Sequence, residues 1–224
     1  MLRKSLFFLL AILVISALVA PLAAQDADII AEGLNYPRGI AYDSDGNLYI
    51  AEAGSGGEKI ILEIDESQIT GGLTSQVSVI APDGTKSVAV GNLTSAFVPF
   101  EGASLGVIRA IPTEDSIWLV LSEAQNMTVF SDAIVEIDKA TTRVKHYIDL
   151  YLFEVDNNPV NLPDGVEEIL SNPTDITMGA DGTLYIVDTG ANVLLSWTPA
   201  DGLEMVHAWT DNPVPTSIEI AEDG

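Results

Sequence analysis

Three copies of one strand–turn–strand phrase, recurring near multiples of about 45 residues, and the lack of long helical patterns predict an all-β chain. The architecture they predict is a β-propeller of four-stranded antiparallel blades. The first copy runs Asn35-Tyr36-Pro37-Arg38-Gly39-Ile40-Ala41-Tyr42, then Asp45-Gly46, then Asn47-Leu48-Tyr49-Ile50. The second runs from Asn172 through Asp175, Asp181-Gly182 and Leu184-Tyr185-Ile186. A third begins at Pro215-Thr216-Ser217-Ile218 and reaches Asp223-Gly224. Pro173 and Pro215 are one blade length apart, and Pro37 and Pro173 are three blade lengths apart.

Residues 1–24 read as a leader rather than as fold. Arg3 and Lys4 precede an apolar run from Leu6 to Ala20, and Pro21-Leu22-Ala23-Ala24 offers small residues for cleavage before Gln25. An apolar core of about 15 residues is short for a membrane span. The expectation is an exported protein with a signal peptide at 1–24 and a propeller domain at 25–224. Retention of the segment as an anchor is the alternative.

Each copy has a physical grammar. The proline ends the preceding loop and a short alternating strand follows. Asp45-Gly46 or Asp181-Gly182 then makes a tight hairpin, since both residues accept the positive φ such turns need. The return strand is rich in aromatic and β-branched residues. Lys59–Ile64, Ala133–Ile137 and Val193–Thr198 are expected as outer strands, with Thr142–Ile148 and Glu204–Trp209 completing their blades. Gly106–Ile111 and Ser116–Leu121 form a degenerate copy. The steps from Leu48 to Ile117 and from Ile117 to Leu184 are then each longer than one blade. Long insertions explain this, or a weak unit at Val77–Val90 with its own Pro82-Asp83-Gly84 turn. Residues 147–170 read as a loop with a short helix at Val166–Leu170. At this period the chain supplies about four blades of a six-bladed circle, and the third copy breaks off in mid-hairpin. The expectation is a sequence incomplete at its C-terminus, monomeric when complete.

Composition excludes several functions. Beyond the leader there are seven basic against 33 acidic residues, a net charge of −26. Such a surface repels nucleic acid and anionic lipid. No cysteine is present, so neither disulfides nor thiol chemistry contribute. With 47% hydrophobic residues the chain is globular.

Propeller ligands sit where the first strands enter the central channel. That places Arg38, Thr174, Asp175, Thr216 and Ser217 on a candidate ligand-binding face. Arg38 suits a carboxylate or phosphate group; the alternative is that it pairs with an acid of a neighbouring blade. Glu52 and Asp188, separated by the same interval as Pro37 and Pro173, are the candidate metal pair for Ca²⁺ or another divalent cation. The alternative there is that each carboxylate caps the loop after it. Asp43-Ser44-Asp45-Gly46-Asn47 looks like the start of a calcium loop but has Gly54 at the twelfth position, so it reads as a hairpin turn. His146 and His207 stand alone in outer strands. Asn92-Leu93-Thr94 and Asn126-Met127-Thr128 fit the glycosylation pattern.

The segments Gly33–Gly39, Tyr49–Gly57, Glu154–Pro159, Asp188–Asn192 and Pro213–Ser217, in that order, resemble the ScyD/ScyE family of exported, NHL-like propellers. The resemblance implies an extracytoplasmic six-bladed propeller without a settled activity. A ligand-binding or protein-interaction module is therefore the leading reading, with a small molecule or protein as partner and no membrane span after cleavage. The alternative is a metal-dependent hydrolase of the gluconolactonase and senescence-marker type. A structural envelope protein is the third reading.

Overall fold

The computed structural model describes residues 28–64, 66–122, 131–157 and 171–221. Contacts divide the chain into Met1–Ile30 and Ala31–Gly224. Of the first unit only residues 28–30 are described, in no strand or helix; the leader lies outside the described residues. The helix expected at Val166–Leu170 does too.

The second unit holds three antiparallel sheets. The second blade is the plainest: β7 (Val107–Pro112), β8 (Ser116–Leu121), β9 (Ala133–Asp138) and β10 (Val144–Asp149) pair in sequence order. The third blade repeats it with β11 (Pro173–Met178), β12 (Leu184–Asp188), β13 (Val193–Thr198) and β14 (Gly202–Ala208). The first blade has β1 (Pro37–Tyr42) and β2 (Leu48–Glu52) where the repeat predicts them. Its outer half belongs to a long hairpin, β4 (Ser67–Ile80) and β5 (Lys86–Val98).

That hairpin corrects one expectation. Gln76–Ile80 occupies the edge of β2, so β3 (Lys59–Ile64) cannot be the blade's third strand. It pairs instead with the far end of β4, from Ser67 to Gly71. The short β6 (Ala103–Leu105) pairs likewise with the far end of β5. Val77–Val90 is thus no separate unit: it is the outer hairpin of the first blade, closed at Asp83-Gly84. The long spacing from Leu48 to Ile117 comes from the insertion carried on that hairpin. Buried serines fix the loop leading into it, with Ser75, Ser95 and Ser104 donating to the carbonyls of Glu52, Ala53 and Gly54.

The one described helix, α1 (Leu150–Asn157), replaces part of the expected loop. Asp149 starts it by accepting the Leu152 N–H at 2.8 Å, an N-cap. Leu150 and Glu154, one turn apart, are its buried residues. Of the roughly four blades that length allows, three are sheets among the described residues; residues 209–221 lie beside the third blade without strand pairing.

Packing follows the period of two along β8, whose six residues are all buried. Ile117, Leu119 and Leu121 face the first blade, with Tyr49, Ala51, Val77 and Val90. Trp118 and Val120 face the third, with Ile176, Leu184, Ile186 and Leu195. Each such valine, leucine or isoleucine side chain contributes about 1.5–3 kcal/mol by burial. Trp118, Trp197 and the His146 ring form an aromatic cluster at the second seam, with Trp118 and Trp197 centroids 5.5 Å apart. Among the described residues no helix is long and apolar enough to cross a membrane.

Candidate functional site

The first strands of the blades share one irregularity. In each, the ladder to the second strand shifts just after the opening residue: between Pro37 and Ile40, Val107 and Arg109, Pro173 and Asp175. The shift makes Gly39, Arg109 and Asp175 equivalent positions in three successive blades. Local sequence brings these strands together. A Cβ on Gly39 would lie 2.5 Å from the Ile108 carbonyl oxygen and 3.2 Å from Cδ of Arg109. Only glycine lets β7 approach β1 this closely.

Across that gap runs a chain of polar contacts. Arg109 Nη1 donates to the Ile40 carbonyl at 2.9 Å, while its Nε lies 3.0 Å from Asp175 Oδ1. The Nε–H is not aligned for a hydrogen bond, so the second contact is an ion pair. Asp175 Oδ2 in turn accepts the Ile218 N–H at 3.2 Å. Four successive units are therefore tied at one level, from β1 through β7 and β11 to the segment after the third blade. The sequence reading does not single out Arg109, although it recognises the degenerate repeat that carries it. Its acidic partner belongs to the next blade, and no local pattern announces the pair.

The five expected channel-face residues divide into two groups. Asp175 is buried and committed to Arg109 and Ile218. Thr174 shares a hydroxyl contact of 2.6 Å with Thr189, whose Oγ1 also donates to the Pro215 carbonyl. Arg38, Thr216 and Ser217 are exposed. Among the described residues Arg38 has no ion pair or hydrogen bond. The cross-blade pairing considered for Arg38 is made by Arg109 instead.

Glu52 and Asp188 occupy matching ends of β2 and β12, opposite Pro37 and Pro173. Glu52 accepts from Gln76 Nε2 at 2.9 Å, from Ser78 Oγ and from the Asn35 N–H. Burial works against its charge, yet those donors and Lys86 hold its carboxyl below the ordinary value. Asp188 accepts from the Asn172 N–H and Ser171 Oγ, both at 2.7 Å, and from the Ala191 N–H at 3.1 Å. There burial prevails over the donors and raises the carboxyl. Both side chains pin the entry to a first strand. No group of three metal-ligating side chains occurs among the described residues.

The remaining motifs are local. Asp43 accepts the N–H groups of Asp45 and Asn47, the geometry of a hairpin turn. His146 lies on β10 with Nδ1 2.6 Å from Glu136, and His207 lies on β14 against Trp209. Asn92 is exposed on β5, and the other glycosylation triplet lies outside the described residues.

No family model matches the chain, and neither does any curated protein. Solved structures similar to it include a streptogramin B lyase, at 13% identity and a TM-score of 0.42, covering 84% of this chain. A luciferin-regenerating enzyme has 14% identity and a TM-score of 0.46 over 81% of this chain. Virginiamycin B lyase from Staphylococcus aureus has 13% identity and a TM-score of 0.36 over 82%, which is 73% of that protein. The chain spans 60% and 48% of the lengths of the first two.

Proposed function

We propose that this chain is an exported binding propeller of the ScyD/ScyE type, in which the channel-entry face holds a small molecule through an anionic group. Arg38 receives that group, with Thr216 and Ser217 as hydroxyl partners from the segment beside the third blade. Residues 25–224 form the propeller domain, after a leader at 1–24.

The observation that carries this reading is that, among the described residues, Arg38 has no ion pair or hydrogen bond. In a chain with 33 acidic residues, an arginine finds a carboxylate readily, as Arg109 does. Arg38 stays exposed, one position from Gly39, at the strand end where propeller ligands gather. A guanidinium presents paired donors suited to carboxylate or phosphate. Support for the metal-dependent hydrolase is weaker, since Glu52 and Asp188 each hold three protein donors. The test is titration of the full chain and of Arg38→Ala with inorganic phosphate and with citrate.

A further inference from the structure

We propose that Thr189 and Asn192 are positioning residues of the anion site: they latch the segment that carries Thr216 and Ser217, and latching and anion binding are thermodynamically linked. For its ligand this inference rests on the Arg38 reading; the latch itself stands on contacts of the third blade.

Residues 209–221 have no ladder to hold them, so discrete contacts set their course. The Trp209 N–H, donated to the Asn192 carbonyl at 3.0 Å, marks the start. The Asn192 side chain then uses both ends of its amide, donating to Asn212 Oδ1 at 2.9 Å and accepting the Val214 N–H at 3.0 Å. Thr189 Oγ1 donates to the Pro215 carbonyl, and Asp175 Oδ2 accepts the Ile218 N–H at 3.2 Å. Thr216 and Ser217 are the two exposed residues between these last anchors.

The turn between β12 and β13 that carries the latch is itself fixed. The Thr189 N–H donates to the Asn172 carbonyl at 3.0 Å, Asp188 accepts the Ala191 N–H, and Asn192 is 6% exposed. A hydroxyl has one proton to give. Thr189 gives its proton to Pro215, so in the 2.6 Å contact with Thr174 it is the acceptor and Thr174 the donor. The hydroxyl chain therefore runs in one direction, from the first strand of the third blade through the turn to the latched segment.

The latched segment is held in a strained course. Asn212 has a φ of 52° and Val214 a φ of 55°, a region that a β-branched residue disfavours. Val214 is 48% exposed, so burial does not keep it there. Its N–H bond to Asn192 and the adjoining Pro215 bond to Thr189 do. Released from these contacts, the segment relaxes and takes Thr216 and Ser217 with it. An anion held between Arg38 and these hydroxyls adds an anchor to the latched form alone, and a ligand that prefers one state shifts the population toward it. The two halves of the site also share a tie, because Asp175 faces Arg109, which holds the Ile40 carbonyl two residues from Arg38.

The experiment combines amide hydrogen exchange with citrate titration on the full chain. Asn192→Gly removes both amide contacts yet tolerates the φ of 53° at that position; Thr189→Val removes the hydroxyl donor, and Thr189→Ser keeps it. In Asn192→Gly the Val214 amide should exchange about ten-fold faster while the amides of the β12–β13 ladder stay protected. Citrate should bind about three- to ten-fold more weakly to Asn192→Gly and to Thr189→Val, with the native affinity kept in Thr189→Ser. Citrate should also slow exchange at Val214 and Ile218 in the native chain and not in Arg38→Ala. Native citrate affinity in both Asn192→Gly and Thr189→Val overturns the latch and leaves the Arg38 reading standing, as does a loss that Thr189→Ser shares with Thr189→Val. No citrate binding by the native chain overturns the Arg38 reading, and this inference with it.

Discussion

Arg109 and Asp175 stand 3.0 Å apart across the seam between the second and third blades, on equivalent positions of neighbouring first strands. Their partners beyond the pair, the Ile40 carbonyl and the Ile218 N–H, extend the tie by one unit on either side. The blades are thus joined by polar contacts between their first strands as well as by the apolar seams between the sheets.

Asp175→Ala leaves the Arg109 charge and the Ile218 N–H without a partner and should cost about 1–3 kcal/mol. Arg109→Ala should cost at least as much, because it leaves the buried Asp175 carboxylate without its counter-charge, whereas water screens the third-exposed Arg109 that Asp175→Ala leaves behind. In a double-mutant cycle by urea unfolding the coupling should be about 0.5–1.5 kcal/mol. Strict additivity would mean that the tie contributes nothing.

Gly39→Ala places a methyl group against the Ile108 carbonyl oxygen at 2.5 Å. That nearest atom is backbone, so no flexible side chain can give way. The variant should lose about 1–3 kcal/mol as β1 and β7 separate. Unfolding at the native urea midpoint would show that the strands accommodate it.

How much of this is legible in the sequence varies by element. The Asp-Gly turns and the Leu-Tyr-Ile return strands can be read because their chemistry is local: a positive φ, then a strand buried on both faces. The pairing of Lys59–Ile64 cannot, since which strand takes the edge of β2 depends on the whole β4–β5 hairpin. Helix α1 has its signal in Asp149, a capping residue that stands inside an apparent strand-to-loop run. At the site, Asp175 and Thr174 are recognisable from the repeat, but their commitment to Arg109 and Thr189 rests on contacts between separate segments. The alternative considered for Asp188, bonding to the loop N–H groups that follow it, has a direct counterpart in the Ala191 contact.

Acid stability should show two opposed contributions. Against the effect of burial, Glu52 and Glu136 are held below the ordinary 4.5, Glu52 by Ser78, Asn35 and Gln76, and Glu136 by Lys145, Ser116 and His146. The unfolded chain therefore binds their protons first, and stability falls as pH drops below about 4.5. Asp188 has the reverse sign. Burial raises it above 3.8, so the folded state binds its proton first, and its contribution declines as pH rises from 3.8 through the folded value. Melting temperatures between pH 3 and 7 should lose part of the acid limb in Glu136→Gln, and should rise more steeply with pH in Asp188→Asn. Parallel curves for the native chain and both variants would contradict this assignment.

Trp118→Ala removes a tryptophan from the seam between the second and third blades, where it is 5% exposed. It should cost about 3–5 kcal/mol and leave Trp197 with His146 as its one ring partner among the described residues, with a red shift of the remaining tryptophan emission. A loss below about 1 kcal/mol would mean that the seam collapses around the gap.

The central claim is that Arg38 receives an anion at the channel entry, and calorimetric titration with citrate at fixed ionic strength tests it most directly. The native chain should bind one citrate, and Arg38→Ala should lose at least ten-fold in affinity while its melting temperature stays within about 1 °C, as expected for an exposed side chain. Arg38→Lys should recover only part of the affinity, since an ammonium cannot make the paired contact. Equal citrate affinity in the native chain and Arg38→Ala, or no binding of citrate or phosphate by the native chain, would contradict the account.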